Sequence, residues 1–257
     1  MDQSLYYHWN NLCLYMGRFD GTYHWQHIAD SFIVSLDNEF DVKLANGEVI
    51  STRCLMIPAN VRCDFILSNQ RIAFVSSHFW RNIKTTLTYN YYCCEQDGLL
   101  FDFLDACDIA RAFRDLYKRR PCANDAKEVL DQILNPKKYP LSPPLMDRRV
   151  RKLIELLLKN PDLSQSIDDY AELMPISAAH LSRLFKQETN ISFSRFRLGV
   201  RVLYFIKQFS RSRNLTTAAH DSGFADLAHL NKCHKLLFGI CPSQLWLSES
   251  ELKICVA

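Results

Sequence analysis

No apolar run in this 257-residue chain approaches the length of a membrane span. The first residues hold no basic stretch followed by an apolar run, so no signal peptide is expected and a cytoplasmic setting is. The 10 Cys residues include the vicinal pair Cys93 and Cys94, but paired C-x-x-C spacing of the zinc-site kind is missing. Without an export signal these thiols are expected to be reduced and mostly in the core, with redox sensing as the alternative. Paired carboxylates, a nucleophile beside a base and a metal triad are also missing. No catalytic residue, metal or cofactor is therefore expected, and the chain does not read as an enzyme.

What is present is the composition of a globular protein large enough for two domains: 48% hydrophobic and 23% charged residues. The net charge of +3 is uninformative taken whole. Residues 1–141 hold 15 Lys and Arg against 17 Asp and Glu, whereas residues 142–257 hold 16 against 11. The C-terminal part is the basic one, as a nucleic-acid-binding module would be.

Residues 31–76 alternate apolar and polar in short runs. FIVSL (32–36), FDVKL (40–44), EVIST (48–52) and FILS (65–68) read as half-buried strands. Asn46-Gly47 between two of them is a two-residue hairpin signal. The segment reads as an antiparallel sandwich or small barrel. Phe32, Val34, Phe40, Val42, Leu55 and Ile57 are its core or the lining of a pocket. Between 98 and 118 the period changes. Leu99, Phe103, Ala106, Ala110, Phe113 and Tyr117 form a helical seam, and Leu100, Leu104 and Cys107 a second strip. Such a helix faces its own sheet and a partner chain, or is buried on two sides of one chain. A short helix over 125–134 follows, then PKKYPLSPP (136–144), which neither helix nor central strand can contain.

Beyond this break the chain reads as helices, and one segment occurs twice. HLSRLFKQETNISFSRF (180–196) and HLNKCHKLLFGICPSQL (229–245) share five of 17 aligned positions at an offset of 49. Asn190 aligns with Gly239, two residues that tolerate a left-handed backbone after a helix. Each copy reads as a short helix, a tight turn and a second helix, the helix-turn-helix pattern. Tyr170, Ala171, Leu173, Ile176, Leu181, Leu184 and Phe185 are expected to close the first core. Ala219, Phe224, Leu230, Leu237 and Phe238 are expected to close the second. That leaves Ala179, Ser182, Arg183 and Lys186 outward in copy one, and Leu227, Ala228, His229, Asn231, Lys232 and Lys235 outward in copy two. Short polar groups with Arg or Lys near a helix start suit base edges and phosphates in a major groove. Arg183 is the strongest candidate, because Arg can make a bidentate contact with guanine. A long helix over 192–210 would hold the two units roughly one DNA turn apart, about 34 Å.

These residues bring a family into view. Residues 147–246 resemble the DNA-binding region of the AraC/XylS transcription regulators. The resemblance rests on SIDDYAELMPISAAHLSRLFKQETNISFSRF and on GFADLAHLNKCHKLLFGICPSQL. Arg201 fits an arginine of the family's long helix, and Asp147-Arg149-Val150 fits the start of the region. Residues 27–63 resemble, more weakly, the cupin-like sensor domains of this family, which bind effectors or mediate dimerisation. Cys63 stands where many such domains have His, which argues against an enzymatic metal site, and His24 and His27 are a poor ligand pair. Copy two departs further from the family. Ala218 replaces a large aliphatic residue, Cys233-His234 replaces a small residue and Phe, Leu227 is apolar, and Asp226 stands in for a hydroxyl cap. This copy is expected to be less stable and to bind mainly phosphates through Lys232 and Lys235.

The reading is thus an α+β protein. Residues 1–136 are a cupin-like antiparallel β domain plus helices, 137–146 a linker, and 147–257 an all-α domain with helix-turn-helix units at 167–189 and 215–238 joined by a long helix. It implies a ligand-responsive, sequence-specific transcription regulator. Its DNA-binding residues would be Ala179, Ser182, Arg183, Lys186, Ala228, His229, Asn231, Lys232 and Lys235. The partners implied are double-stranded promoter DNA, a small-molecule effector, a second copy through the helix 98–118, and RNA polymerase. The alternative is a partner-dependent co-regulator with a weakened second DNA-binding unit.

Overall fold

A computed structural model describes residues 3–9, 12–27, 29–77, 83–140, 146–159, 165–189, 191–238 and 252–256. The chain forms two compact units, one of residues 1–143 with 244–257 and one of residues 144–243. The protein is α+β, and each unit has its own core.

The first unit is built on β1 (Ser4–Trp9), β2 (Leu12–Gln26), β3 (Asp30–Ser35), β4 (Phe40–Lys43), β5 (Val49–Thr52), β6 (Cys54–Ile57) and β7 (Arg62–Ser77). Helix α1 (Ile83–Asn90), the short strands β8 (Cys94–Gln96) and β9 (Leu99–Phe101), and helices α2 (Ala106–Arg119) and α3 (Ala123–Leu134) follow. The sheet order is β10-β1-β2-β7-β3-β6-β9-β8, where β10 is Leu252–Val256, with β4 pairing to β5 and β7. All described pairs are antiparallel except β1 with β10.

The long β2–β7 ribbon folds back on itself. Trp25 pairs with Cys63, far along β7 from Phe74, and a straight ladder would separate these levels by about 36 Å at roughly 3.3 Å per residue. The Trp25 and Phe74 rings are nevertheless 5.0 Å apart. The bend falls at the register shift between Phe19 and Gly21, where Asn69 takes φ 50° and its N–H donates to Asp20 Oδ1 at 2.9 Å. The two halves of the ribbon thereby become facing layers.

The outer face of the larger layer packs on α1–α3. Leu5, Tyr7, Leu14, Phe32, Val34 and Val75 join Phe113, Leu116 and Leu130 in one core. Tyr7 Oη donates to Pro121 O at 3.0 Å and Trp9 Nε1 to Ala123 O at 3.0 Å, which fixes the α2–α3 corner on β1. Phe32 and Val34, expected as core or as pocket lining, are therefore part of the helix-facing core.

Several sequence expectations need correction here. The helix expected over 98–118 begins only at Ala106, because Asp97, Gly98 and Asp102 take positive φ and a right-handed helix cannot contain them. Its second apolar strip does not exist. Leu100 lies buried in β9, Leu104 is 79% exposed, Cys107 is exposed, and the outward face carries Asp108, Arg111, Asp115 and Lys118. The Asn46-Gly47 hairpin is real, but its loop is longer than two residues. The Gly47 N–H donates to Leu44 O and the Leu44 N–H to Glu48 O, and only Gly47 takes positive φ (88°). The C-terminal unit also stops short of 257. It ends at Ser243, and β10 belongs to the sheet unit. Residues 141–145, within the expected linker, lie outside the described residues.

The second unit comprises α4 (Arg148–Lys159), α5 (Ile167–Glu172), α6 (Ala178–Thr189), α7 (Phe193–Ser212), α8 (Leu215–Asp221) and α9 (Leu227–Phe238). Helix α7 has 20 residues, about 30 Å at 1.5 Å per residue, and its buried stripe runs through Phe196, Val200, Leu203 and Ile206. No described helix is long and apolar enough to cross a membrane.

Candidate nucleic-acid interface

Both helix pairs, α5–α6 and α8–α9, are defined at their starts by side-chain caps. Ser166 forms a capping box with Asp169, whose N–H donates to Ser166 Oγ at 3.3 Å. Asn214 Oδ1 accepts from Thr217 N–H at 3.0 Å. The second helices repeat the device. Ser177 Oγ accepts from His180 N–H at 3.3 Å, and Asp226 Oδ1 from His229 N–H at 2.6 Å. Asp226 thus does the work of a hydroxyl cap. The spacing between caps is one residue longer in copy two, and the extra residue is absorbed where Gly223 takes φ 74°.

The cores are equivalent too. Leu181 and Leu230 are both buried, and Phe185 has its counterpart in His234, which is only 3% exposed. Tyr170 and Ala171 are buried in α5, as Ala218 and Ala219 are in α8, so copy two places a methyl group where copy one has a phenol. Leu173, expected in the first core, is 58% exposed, and Met174 is buried instead. Helix α5 has ended at Glu172, so the helical period no longer predicts which neighbour turns inward. The side chain of Phe238, and the aligned pair Asn190 and Gly239, lie outside the described residues.

Burial leaves matching faces outward. Ala179, Arg183 and Lys186 are exposed on α6, with Ser182 half-buried beside them. Ala228, Lys232 and Lys235 are exposed on α9, with Leu227, His229 and Asn231 half-buried. Positions spaced by four and three along a helix share one face, so each copy carries one cationic stripe. His229 is partly committed to its own turn: its ring meets Phe224 edge-on at 5.6 Å and its Nδ1 accepts from Ala225 N–H at 3.4 Å.

Two arginines of α7 were not singled out as positioning residues by sequence. Arg197 lies over the Phe193 ring at 5.6 Å and Arg201 over Phe224 at 5.8 Å. Burial, and then the nearby Arg197, lower the pKa of Arg201. Arg201 therefore ties the connecting rod to the turn of copy two. The available signal was an Arg four residues from another on a helix flanked by phenylalanines.

At the start of α4, Arg149 grips Asp147 with two bonds of 2.9 and 2.7 Å, and the Asp147 N–H donates to Glu188 Oε2 at 3.1 Å, joining α4 to the end of α6. The Arg149 hydrogen bonds hold the Asp147 carboxyl at about 2, below the ordinary 3.8. A depressed carboxylate stabilises the fold above its ordinary pKa, and the contribution disappears as pH falls through about 2. Carbon-detected NMR titration should place the Asp147 midpoint near 2, and Arg149→Ala should return it toward the ordinary value. An unchanged midpoint in Arg149→Ala would sink this assignment.

Among the described residues no group of three His, Cys, Asp or Glu is placed to hold a metal ion.

Two capped helix-turn-helix units with equivalent cationic stripes, joined by one rod, define a double helix-turn-helix module. Residues 170–246 match the family model described as a helix-turn-helix domain. The HTH-type transcriptional regulator RipA of Corynebacterium glutamicum is 30% identical over 103 residues, 40% of this chain and 31% of RipA. The HTH-type transcriptional regulator GbdR of Pseudomonas aeruginosa is 29% identical over 97 residues, 37% of this chain and 26% of GbdR. The chain thus spans about a third or less of the length of these curated relatives. In shape, an apo variant of ToxT from Vibrio cholerae matches with a TM-score of 0.60 at 12% identity, covering 91% of this chain and 96% of that one. Wild-type ToxT bound to an unsaturated fatty acid matches with a TM-score of 0.54 at 12% identity, covering 94% and 96%. At such identity the likeness is one of fold.

Proposed function

We propose that this protein is a ligand-responsive, sequence-specific transcription regulator that binds promoter DNA through α6 and α9. The observation that carries the reading is the recurrence of one exposed stripe on two equivalently capped helices. Arg183 reads a base edge, and Ala179 and Ser182 let the backbone of α6 approach the groove. Lys186, Lys232 and Lys235 contact phosphates, Ala228 and Asn231 line the second groove, and His229 shapes the turn that presents them. Asp226 places a negative charge at the start of α9 where Ser177 is neutral, so copy two reads sequence less strictly than copy one.

The sheet unit is the sensing domain, a reading supported by its ToxT-like shape, and it mediates pairing with a second copy. The helix for that pairing is α2 over 106–119. Its exposed charges are self-complementary in an antiparallel arrangement: Asp108 would face the partner's Lys118, and Arg111 would face the partner's Asp115. RNA polymerase is the remaining proposed partner.

Selection from random double-stranded DNA with the purified chain should return a motif of two blocks about one helical turn apart. Failure to recover any motif alone, with recovery only beside a second regulator, would favour the co-regulator reading, for which the Asp226 charge and the loss of a large residue at Ala218 speak. Affinity for the selected site should fall steeply with salt. Each of Lys186→Ala, Lys232→Ala and Lys235→Ala should reduce the log–log slope by about 0.9. Slopes unchanged in all three variants would remove these lysines from the interface.

A further inference from the structure

The corner between α2 and α3 lies along β1 and β10, and it brings two thiols together. Lys253 Nζ donates to Arg120 O at 3.1 Å, and Tyr7 Oη and Trp9 Nε1 donate to Pro121 O and Ala123 O, both at 3.0 Å. Cys122 is thus held between two anchored residues. It is exposed, it stands at the N-cap of α3, and its side chain makes no cap hydrogen bond. Lys253 and Cys255 are two residues apart on β10 and so share one face of the strand. Cys255 is the ladder partner of Tyr7 and packs, half-buried, against the same helix-facing core. The Tyr7 phenol feels both sulfurs: burial, then Cys255 and Cys122, push it up to about 12. Cys255 meets this phenol from the strand side, and Cys122 from the helix side.

The corner is also cationic. Lys118 and Arg119 are exposed, Arg120 and Lys253 are half-buried, and Asp125 is the one acid in the first turn of α3. The N–H groups that open α3 add to the same sign. The other exposed thiols differ. Cys94 sits beside the Lys84–Glu95 ion pair, where the charges balance, and Cys107 precedes Asp108.

We propose that Cys122 is a modification site for a low-molecular-weight disulfide bearing carboxylates, and that Cys255 resolves the adduct into a Cys122–Cys255 disulfide. The site lies outside the DNA-binding stripes and does not depend on that reading. The chemistry is two exchanges. The Cys122 thiolate attacks one sulfur of the small disulfide. That S–S bond breaks, and one small thiolate leaves and takes up a proton. The Cys255 thiolate then attacks Cys122 Sγ, and the second small thiolate leaves in the same way. Two protein thiols are oxidised, and the small disulfide is reduced to two thiols. The bond fastens β10 to the α2–α3 corner. The loop it closes contains all of residues 144–243, so one exchange at the sheet unit encircles the whole helical unit in the chain.

The test uses the full reduced chain with oxidised glutathione, and with cystamine as a cationic disulfide for comparison. Peptide mass mapping without reduction should show Cys122 joined to Cys255 within one chain. In Cys255→Ser and Cys255→Ala the glutathione should remain on Cys122. In Cys122→Ser, the half-buried Cys255 should take up glutathione at least about fivefold more slowly than Cys122 does. At low salt, labelling of Cys122 relative to Cys94 should be at least about threefold higher with oxidised glutathione than with cystamine, and salt should erase the difference. Amide exchange of Leu252–Val256 should slow at least about fivefold on oxidation of the parent and not of Cys255→Ala. Circular dichroism checks the variants, and the map of the parent decides the pairing even where a variant does not fold. No reaction at Cys122, or a glutathione adduct that persists there in the parent, overturns the proposal. So does a bond from Cys122 to any other cysteine, or between two chains. Equal relative labelling by the two reagents overturns the assigned reagent class, and unchanged exchange of β10 overturns the fastening.

Discussion

Phe185→Ala is expected to destabilise the C-terminal unit by about 3–5 kcal/mol, the range for truncating a buried Phe to Ala. Phe185 is fully buried on α6 and meets Phe196 edge-on at 5.1 Å and Phe193 at 6.0 Å, so it joins the recognition helix to the rod. Edge-to-face aromatic pairs add to area burial, and both are lost together. The cavity would sit under the helix that carries Arg183 and Lys186, so DNA affinity should fall along with stability. Urea unfolding of the full chain, followed by probes in each unit, should show the transition of residues 144–243 moving to lower denaturant while that of the sheet unit stays. A shift below about 1 kcal/mol would mean that the core of copy one closes without this ring. The equivalent position in copy two holds His234, an imidazole in the place of a phenyl ring, and Ala218 leaves its neighbourhood with less apolar volume.

Arg183→Ala is expected to weaken binding to the selected DNA site by about 1–3 kcal/mol, roughly 5- to 150-fold, while binding to scrambled DNA changes little. The reason is the division of labour on the stripe. Arg183 is exposed on α6, six residues past the Ser177 cap, where a planar guanidinium would reach a base edge. Lys186 and Lys235, further along their helices, are point charges suited to phosphate. The two classes separate experimentally. Loss of Arg183 should relax the preference at one base pair and leave most of the salt slope, whereas loss of a lysine should lower the slope and leave the preference. Competition between matched and mismatched duplexes measures the first effect. If Arg183→Ala keeps the parent preference at every position, α6 does not read that base through this residue.

The parts legible from sequence were those with local causes. Ser177, Ser192, Asn214 and Asp226 sit at helix starts where a short oxygen can reach the N–H of the third residue on, and each accepts that bond. The Phe196–Phe209 stripe of α7 follows a single period. Strands β1 and β2 escaped notice because their burial has no alternation. Residues 5–9 and 12–17 are buried on both faces, between the helices and the inter-layer space, so a period of two is erased. The helix predicted from Leu99 failed for the opposite reason. The seam continued correctly into α2, but Asp97 and Asp102 adopt a left-handed backbone that an apolar pattern does not record. Leu173 and Met174 exchanged places because a turn follows its own hydrogen bonds rather than the helical period.

By itself, the sequence determined the paired helix-turn-helix units, their caps and their outward cations, because each follows from contacts between residues only a few positions apart. Tertiary structure alone decided that the β2–β7 ribbon folds over to bring Trp25 onto Phe74, and that Leu252–Val256 lies parallel beside Ser4–Trp9. Those arrangements join residues tens to hundreds of positions apart. Their stability comes from surfaces buried together in the folded state, which no local pattern encodes.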